Sequence, residues 1–249
     1  MRPVLTKLTP TRGFSSFLHY ALLVLLPLVV FVLVRLEFVA LAFIVVILAK
    51  WRMFAVRPRF WPANIRANSV DIMFGLSMVI FMQRAESVSM QLIWVLAFGI
   101  WLIVLKPRST VLWVSVQAGL SQFMALTALY AAWADGSLLG LTLATGLICY
   151  LAARHFFDSF DESYARLLSY IWGYFGASLA WLTGHWLLYY QFISQPTLLL
   201  SAIGYGLAAL YYFQHFHRLS VPLRRQLVFI MVAIVLFVLT FSKWGDQLV

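Results

Sequence analysis

The chain has 249 residues, 63% of them hydrophobic and only 10% charged, and its 18 Lys and Arg outnumber its 8 Asp and Glu for a net charge of +10. A mean hydropathy of +0.92 excludes an ordinary soluble domain, where about a quarter of residues carry charge. The apolar residues come in blocks of roughly 20, long enough to cross a hydrocarbon core about 30 Å thick, so residues 1–249 read as one all-α membrane domain.

A basic tail at about 1–14 leads into the first apolar run. The pair resembles a secretory signal, but the run is too long and no small-x-small cleavage site follows, so an uncleaved signal anchor is expected. Residues 17–49 are broken only by Arg35 and Glu37. As one helix this stretch would be about 50 Å long, so a hairpin turning at Arg35-Leu36-Glu37 fits a bilayer better. Charges and turn formers give nine spans in all, at roughly 15–34, 38–56, 66–83, 90–105, 111–133, 137–153, 166–190, 197–213 and 226–242. Eight result if the first hairpin is a single helix.

Sidedness follows from the basic residues, which are retained in the cytoplasm. One face collects fifteen of the 18 and the other keeps only Arg35, Arg84 and Lys243. The expected N-terminus is therefore cytoplasmic and the C-terminus outside, with a bacterial cytoplasmic (inner) membrane favoured by size and compactness. The net charge then reads as a topology signal, and no nucleic-acid partner is expected. Near the inner face, Lys50, Arg52, Arg57 and Arg59 interleave with Trp51, Phe54, Phe60 and Trp61. Each basic residue beside an anionic surface contributes about 1 kcal/mol, so anionic headgroups are the expected lipid partner.

Asp71 is the most informative single residue, because an acidic group near the start of a span is costly unless paired or used. Asn64, Asn68, Asp71 and Gly75 fall at i, i+4, i+7 and i+11, which on one helix starting near Pro62 makes a polar stripe. The structural alternative pairs Asp71 with a neighbour such as Arg66 and with the positive helix N-terminus. Within the fifth span, Gln117 and Ser121 share a face with Gln122 close by, which predicts hydrogen bonds to other helices or a lined route.

The loop before the seventh span carries His155, Asp158, Asp161 and Glu162. Hard oxygen ligands there could hold a divalent cation. The competing reading is a capping box, Ser159-x-x-Glu162, at the start of the next helix. His185 lies near the outer end of span seven at the depth of Trp133 and Asp135, with no second histidine beside it to ligate haem. Cys149 is the only cysteine.

Small residues recur at helix-packing intervals as Gly136, Gly140 and Ala144 in span six, and as Gly176, Ala180 and Gly184 in span seven. Ser201, Gly204 and Ala208 extend the pattern to span eight. They predict a tight core of spans six to eight or a docking face for a membrane-protein partner. No catalytic motif and no cofactor signature is present, so the expected function is a non-enzymatic accessory or scaffold component of a membrane assembly. The alternatives are a carrier or channel for a weakly polar or lipidic solute along Asp71, Gln117 and Ser121, and a lipid-modifying enzyme using Asp158, Asp161, Glu162 and Asp71 at a cytoplasmic metal site.

Overall fold

A computed structural model describes residues 14–133, 136–185, 189–190 and 192–242. Most of the basic tail, together with Asp135, Trp186, Lys243 and Trp244, lies outside the described residues. The chain is all-α: α1 (Phe14–Arg35), α2 (Val39–Leu48), α3 (Trp61–Ala67), α4 (Ser69–Arg84), α5 (Val88–Ile100), α6 (Val111–Trp133), α7 (Leu138–Asp158), α8 (Ala165–Gly184), α9 (Gln195–His215) and α10 (Val221–Phe241). Between α8 and α9 a minimal antiparallel pair joins β1 (Tyr189–Tyr190) to β2 (Ile193–Ser194).

Five stretches among the described residues are long and apolar enough to cross a membrane. They are α5 with its continuation to Leu105, α6, α7, α9 and α10; the bent pair 58–67 and α4 has the length and apolarity of a sixth if it crosses as one broken span rather than re-entering. The side chains that face outward from them, such as Leu96 and Phe229, are large and apolar, as lipid contact requires. This is an integral membrane protein of the helical type.

The hairpin at the first apolar run forms where its charges interrupt it. Helix α1 ends at Arg35, Glu37 takes the left-handed conformation at φ 64°, and α2 starts at Val39. The Phe38 amide donates to the Leu33 carbonyl at 2.9 Å and the Glu37 amide to Val34 at 3.1 Å, the bond pair of a Schellman C-cap. Helix α9 closes the same way around His217.

Three expected spans differ in shape: the seventh, expected to run to residue 190, ends at Gly184, and Tyr189–Tyr190 pair as β1. Helix α2 has ten residues, about 15 Å of rise, instead of filling 38–56; the chain beyond it makes 3-10 turns at Trp51–Met53 and Pro58–Phe60. The helix expected from Pro62 through residue 83 breaks at Asn68, and the two halves meet at 67°. The Asn64–Asn68–Asp71–Gly75 stripe is therefore not one continuous helical face. Asn68 instead donates its amide to the Asn64 carbonyl at 2.9 Å, and Asn64 reaches the Met53 carbonyl at 3.3 Å, so both hold the junction.

Helix α4 is the hub. Val70, Met78, Val79 and Met82 are almost fully enclosed, and they join Val30, Val46, Phe98 and Trp101 in the main core. Gly75 lets α2 come close, since a Cβ there would lie 2.7 Å from Val46. A second core, around Leu126, Tyr130, Cys149 and Leu200, joins α6, α7 and α9. Helix α10 lies at the periphery against α9, where Gly206 accepts the Met231 side chain, and is tied to the β-hairpin by Tyr190 Oη donating to the Val238 carbonyl at 2.8 Å.

Candidate functional site

The turn after α2, the first turn of α4 and the far end of α5 meet at Asp71. This residue occupies the first turn of α4, where a negative charge complements exposed backbone amides. The turn after α2 delivers Lys50, whose Nζ donates to Asp71 Oδ2 at 2.5 Å. Lys106 Nζ approaches the same oxygen at 3.5 Å. On the other carboxylate oxygen, Trp101 Nε1 donates at 3.1 Å while its ring stacks on Phe74 at 3.9 Å and 8°.

The local backbone explains how Trp101 and Lys106 reach one carboxylate. Five residues apart on an α-helix they would point roughly 140° away from each other. Instead α5 continues as a π-helix over Trp101–Leu105, closed by the Lys106 amide donating to the Trp101 carbonyl at 2.9 Å. The wider turn returns residue i+5 almost above residue i, and such π segments are frequent at functional sites. Asp71 is thus paired, as its position demanded, but with Lys50 and Lys106 rather than Arg66. Neither lysine was legible as its partner: both contacts are long-range, and no sequence pattern announces the π-turn.

That geometry corrects the lipid set. The Lys50 side chain is only 12% exposed and engaged with Asp71, so it is not free to meet headgroups. Arg57 and Arg59 are exposed, with the Arg59 guanidinium 4.6 Å from the Phe60 ring centroid and Trp51, Phe60 and Trp61 also open to the surroundings. The Arg52 side chain lies outside the described part.

The polar residues of α6 serve helix contacts. Gln117 Nε2 donates to the carbonyls of Leu105 and Arg108 at 2.7 and 2.9 Å, closing the open end of the π-turn. Ser121 Oγ donates to the Val70 carbonyl at 2.8 Å, one residue before Asp71, and Gln122 Oε1 accepts from Trp172 Nε1 at 2.9 Å. His185 sits exposed at the end of α8 with Nδ1 3.2 Å from the Trp181 carbonyl; its expected neighbour Asp135 lies outside the described residues.

The acidic loop does not gather. Among the described residues no three His, Cys, Asp or Glu side chains meet at metal-binding distance. Helix α7 runs on to Asp158, which pairs with Arg154 at 3.0 Å. His155 turns inward, within the electrostatic reach of Asp71, and its Nε2 is buried without a hydrogen bond. Asp161 takes the left-handed conformation at φ 51°. The capping box does not form either, because Ser159 caps the end of α7, donating to Phe156 at 2.7 Å, and α8 begins only at Ala165.

Glu162 accepts hydrogen bonds from the Tyr211 hydroxyl and from the Tyr164 amide, the latter at 3.2 Å. In that order these hold its carboxyl below the usual range. A carboxyl lowered on folding contributes stability that is present above its unfolded pKa and lost as pH falls through the folded one. Glu162→Gln is therefore expected to lower the thermal midpoint at neutral pH, with the gap to the parent closing on acidification. Parallel midpoint-against-pH curves would refute this.

The small-residue stripes need the largest revision. A Cβ on Gly136 would lie 1.9 Å from the Trp133 ring, and one on Gly140 would meet Ser137 Oγ at 2.9 Å and Trp133 at 3.0 Å. These two glycines seat a tryptophan and cap α7; they do not present a docking face, and Ala144 is half-buried. Gly176 faces Cys149, Ala180 is buried and Gly184 meets Leu138, so this stripe packs inside the bundle, α8 against α7. The two backbones meet directly at Gly146 and Gly173, absent from the expected set: each added Cβ would lie 3.0–3.1 Å from the other glycine's carbonyl oxygen. Comparison with protein families, curated proteins and solved structures finds no match to this chain.

Proposed function

We propose that this protein is a nine-span component of a bacterial cytoplasmic membrane, with its N-terminus inside and its C-terminus outside, acting as a non-enzymatic accessory or scaffold subunit that rests its basic face on anionic lipid. The observation that carries the reading is the division of labour among the polar residues. Asp71, Gln117, Ser121 and Gln122 each bind another part of the bundle. Arg57 and Arg59, set among Trp51, Phe60 and Trp61, remain open to the surroundings. A short segment bent 67° from its neighbouring helix and rich in arginine and tryptophan suits the headgroup layer. The bonds made by Gln117 and Ser121 favour interhelical glue over a solute route.

Two measurements test this. Purification in gentle detergent followed by mass spectrometry is expected to recover a stoichiometric membrane-protein partner; a clean monomer overturns the scaffold assignment. Because Cys149 is fully buried, an introduced cysteine can be read against a quiet background. Arg59→Cys is expected to react only from the cytoplasmic side and Asp246→Cys only from outside, and the reverse pattern overturns the orientation.

A further inference from the structure

Two ammonium groups share one carboxylate oxygen in the Asp71 cluster. Lys50 and Lys106 reach Oδ2 at 2.5 and 3.5 Å, so they stand within about 6 Å of each other, at a separation where like charges repel strongly outside bulk water. Three charges leave one positive charge over. Asp71 supplies a single negative charge, and its second oxygen accepts from Trp101. The Nε2 of His155 is buried without a bond, and Gln117 is engaged with backbone carbonyls. The two lysines differ in access: Lys50 is 12% exposed and Lys106 33%. Lys50 is therefore the fixed member of the pair with Asp71, while Lys106 keeps part of its side chain open. The π-turn that directs Lys106 here is a departure from α-helical geometry confined to Trp101–Leu105, the stretch that serves this cluster.

We propose that Lys106, held by the Lys50–Asp71 pair, is the ligand for a single phosphate group, borne by a lipid headgroup or free in solution. An anion seated beside Lys106 offsets the surplus charge. The proposal rests on the anionic-lipid reading above and sharpens it from a diffuse surface to one saturable site.

The test is native mass spectrometry of the full-length protein in detergent with added phosphatidylglycerol, and with diacylglycerol as the phosphate-free control. One phosphatidylglycerol adduct is expected to saturate. Lys106→Gln should lower its occupancy about tenfold, Lys106→Arg should keep it, and Arg57→Gln with Arg59→Gln should leave it in place while weakening salt-sensitive binding to phosphatidylglycerol vesicles. Lys106→Gln retains the Lys50–Asp71 pair, so a folded variant is expected, checked by its thermal midpoint; if it does not fold, the Lys106→Arg comparison and the diacylglycerol control still decide. A parallel thermal-shift titration with inorganic phosphate distinguishes the source: a shift that Lys106→Gln abolishes identifies a site open to free phosphate, and an adduct without such a shift identifies a headgroup site. Undiminished binding in Lys106→Gln, loss in Lys106→Arg, or equal retention of diacylglycerol overturns the proposal. If only the arginine pair matters, the diffuse reading survives and this one fails.

Discussion

Asp71→Ala is expected to destabilise the bundle far more than Lys50→Met, by about 3 kcal/mol against about 1 kcal/mol or less, although each removes one half of the same ion pair. The difference lies in what each change leaves behind. Without Asp71, two ammonium groups at a largely enclosed site have no counter-charge, and the Trp101 indole, fully buried against Phe74, loses its acceptor. Removing one partner of a buried pair typically costs 3–5 kcal/mol, and the lower end applies because the Asp71 side chain keeps 16% exposure. Without Lys50, Asp71 still has Lys106 and Trp101, and a methionine stem fills most of the lysine's apolar volume. Combining Asp71→Leu with Lys50→Met should recover part of the loss, since it removes the more enclosed ammonium along with the carboxylate, while Lys106 stays without a counter-charge and Trp101 without an acceptor. Unfolding midpoints in one detergent, ordered parent, Lys50→Met, double variant, Asp71→Ala, check this. An Asp71→Ala midpoint at the parent's value would mean that the cluster is too well hydrated to matter.

Features governed by short-range rules were legible in the sequence. Arg35 and Glu37 interrupt an apolar run too long for one crossing, and the chain turns there with Glu37 in the position that ends a helix. Gln117, Ser121 and Gln122 had to find partners in a medium without water, and they do. Their partners were not legible, because a spacing rule says which residues share a face and nothing about the element opposite. The same blindness produced the false stripe from Asn64 to Gly75: periodicity survives on paper across a 67° bend at Asn68. Ser159-x-x-Glu162 satisfies the capping-box pattern, yet a serine hydroxyl caps the end of α7 equally well once that helix extends to Asp158. A lysine among interfacial aromatics normally reaches for headgroups; here a carboxylate 21 residues along the chain draws Lys50 inward instead.

The α7–α8 contact carries the second large expectation, that Gly173→Leu prevents the bundle from assembling while Gly173→Ala costs about 1–3 kcal/mol. Lipid tails are as apolar as leucine, so in a membrane these helices are held by close contact rather than by exclusion of water. Closeness is possible here because neither backbone carries a side chain at the crossing. A Cβ on Gly173 would stand 3.0 Å from the Gly146 carbonyl oxygen and 2.9 Å from Tyr150 Cβ, and a Cβ on Gly146 would stand 3.1 Å from the Gly173 carbonyl oxygen. Backbone atoms and a Cβ cannot rotate away, so relief requires the helices to separate along their length. Gly176 is a different case, since its added Cβ meets the Cys149 sulfur at 2.6 Å and Cys149 Cβ only at 3.1 Å. Cys149→Ala should therefore restore part of the stability lost in Gly176→Ala and none of that lost in Gly173→Ala. Thermal midpoints of the two single variants, each with and without Cys149→Ala, decide the matter: equal rescue of both would show that the helices yield at Gly146 and Gly173, and that the small-residue crossing does not set their separation.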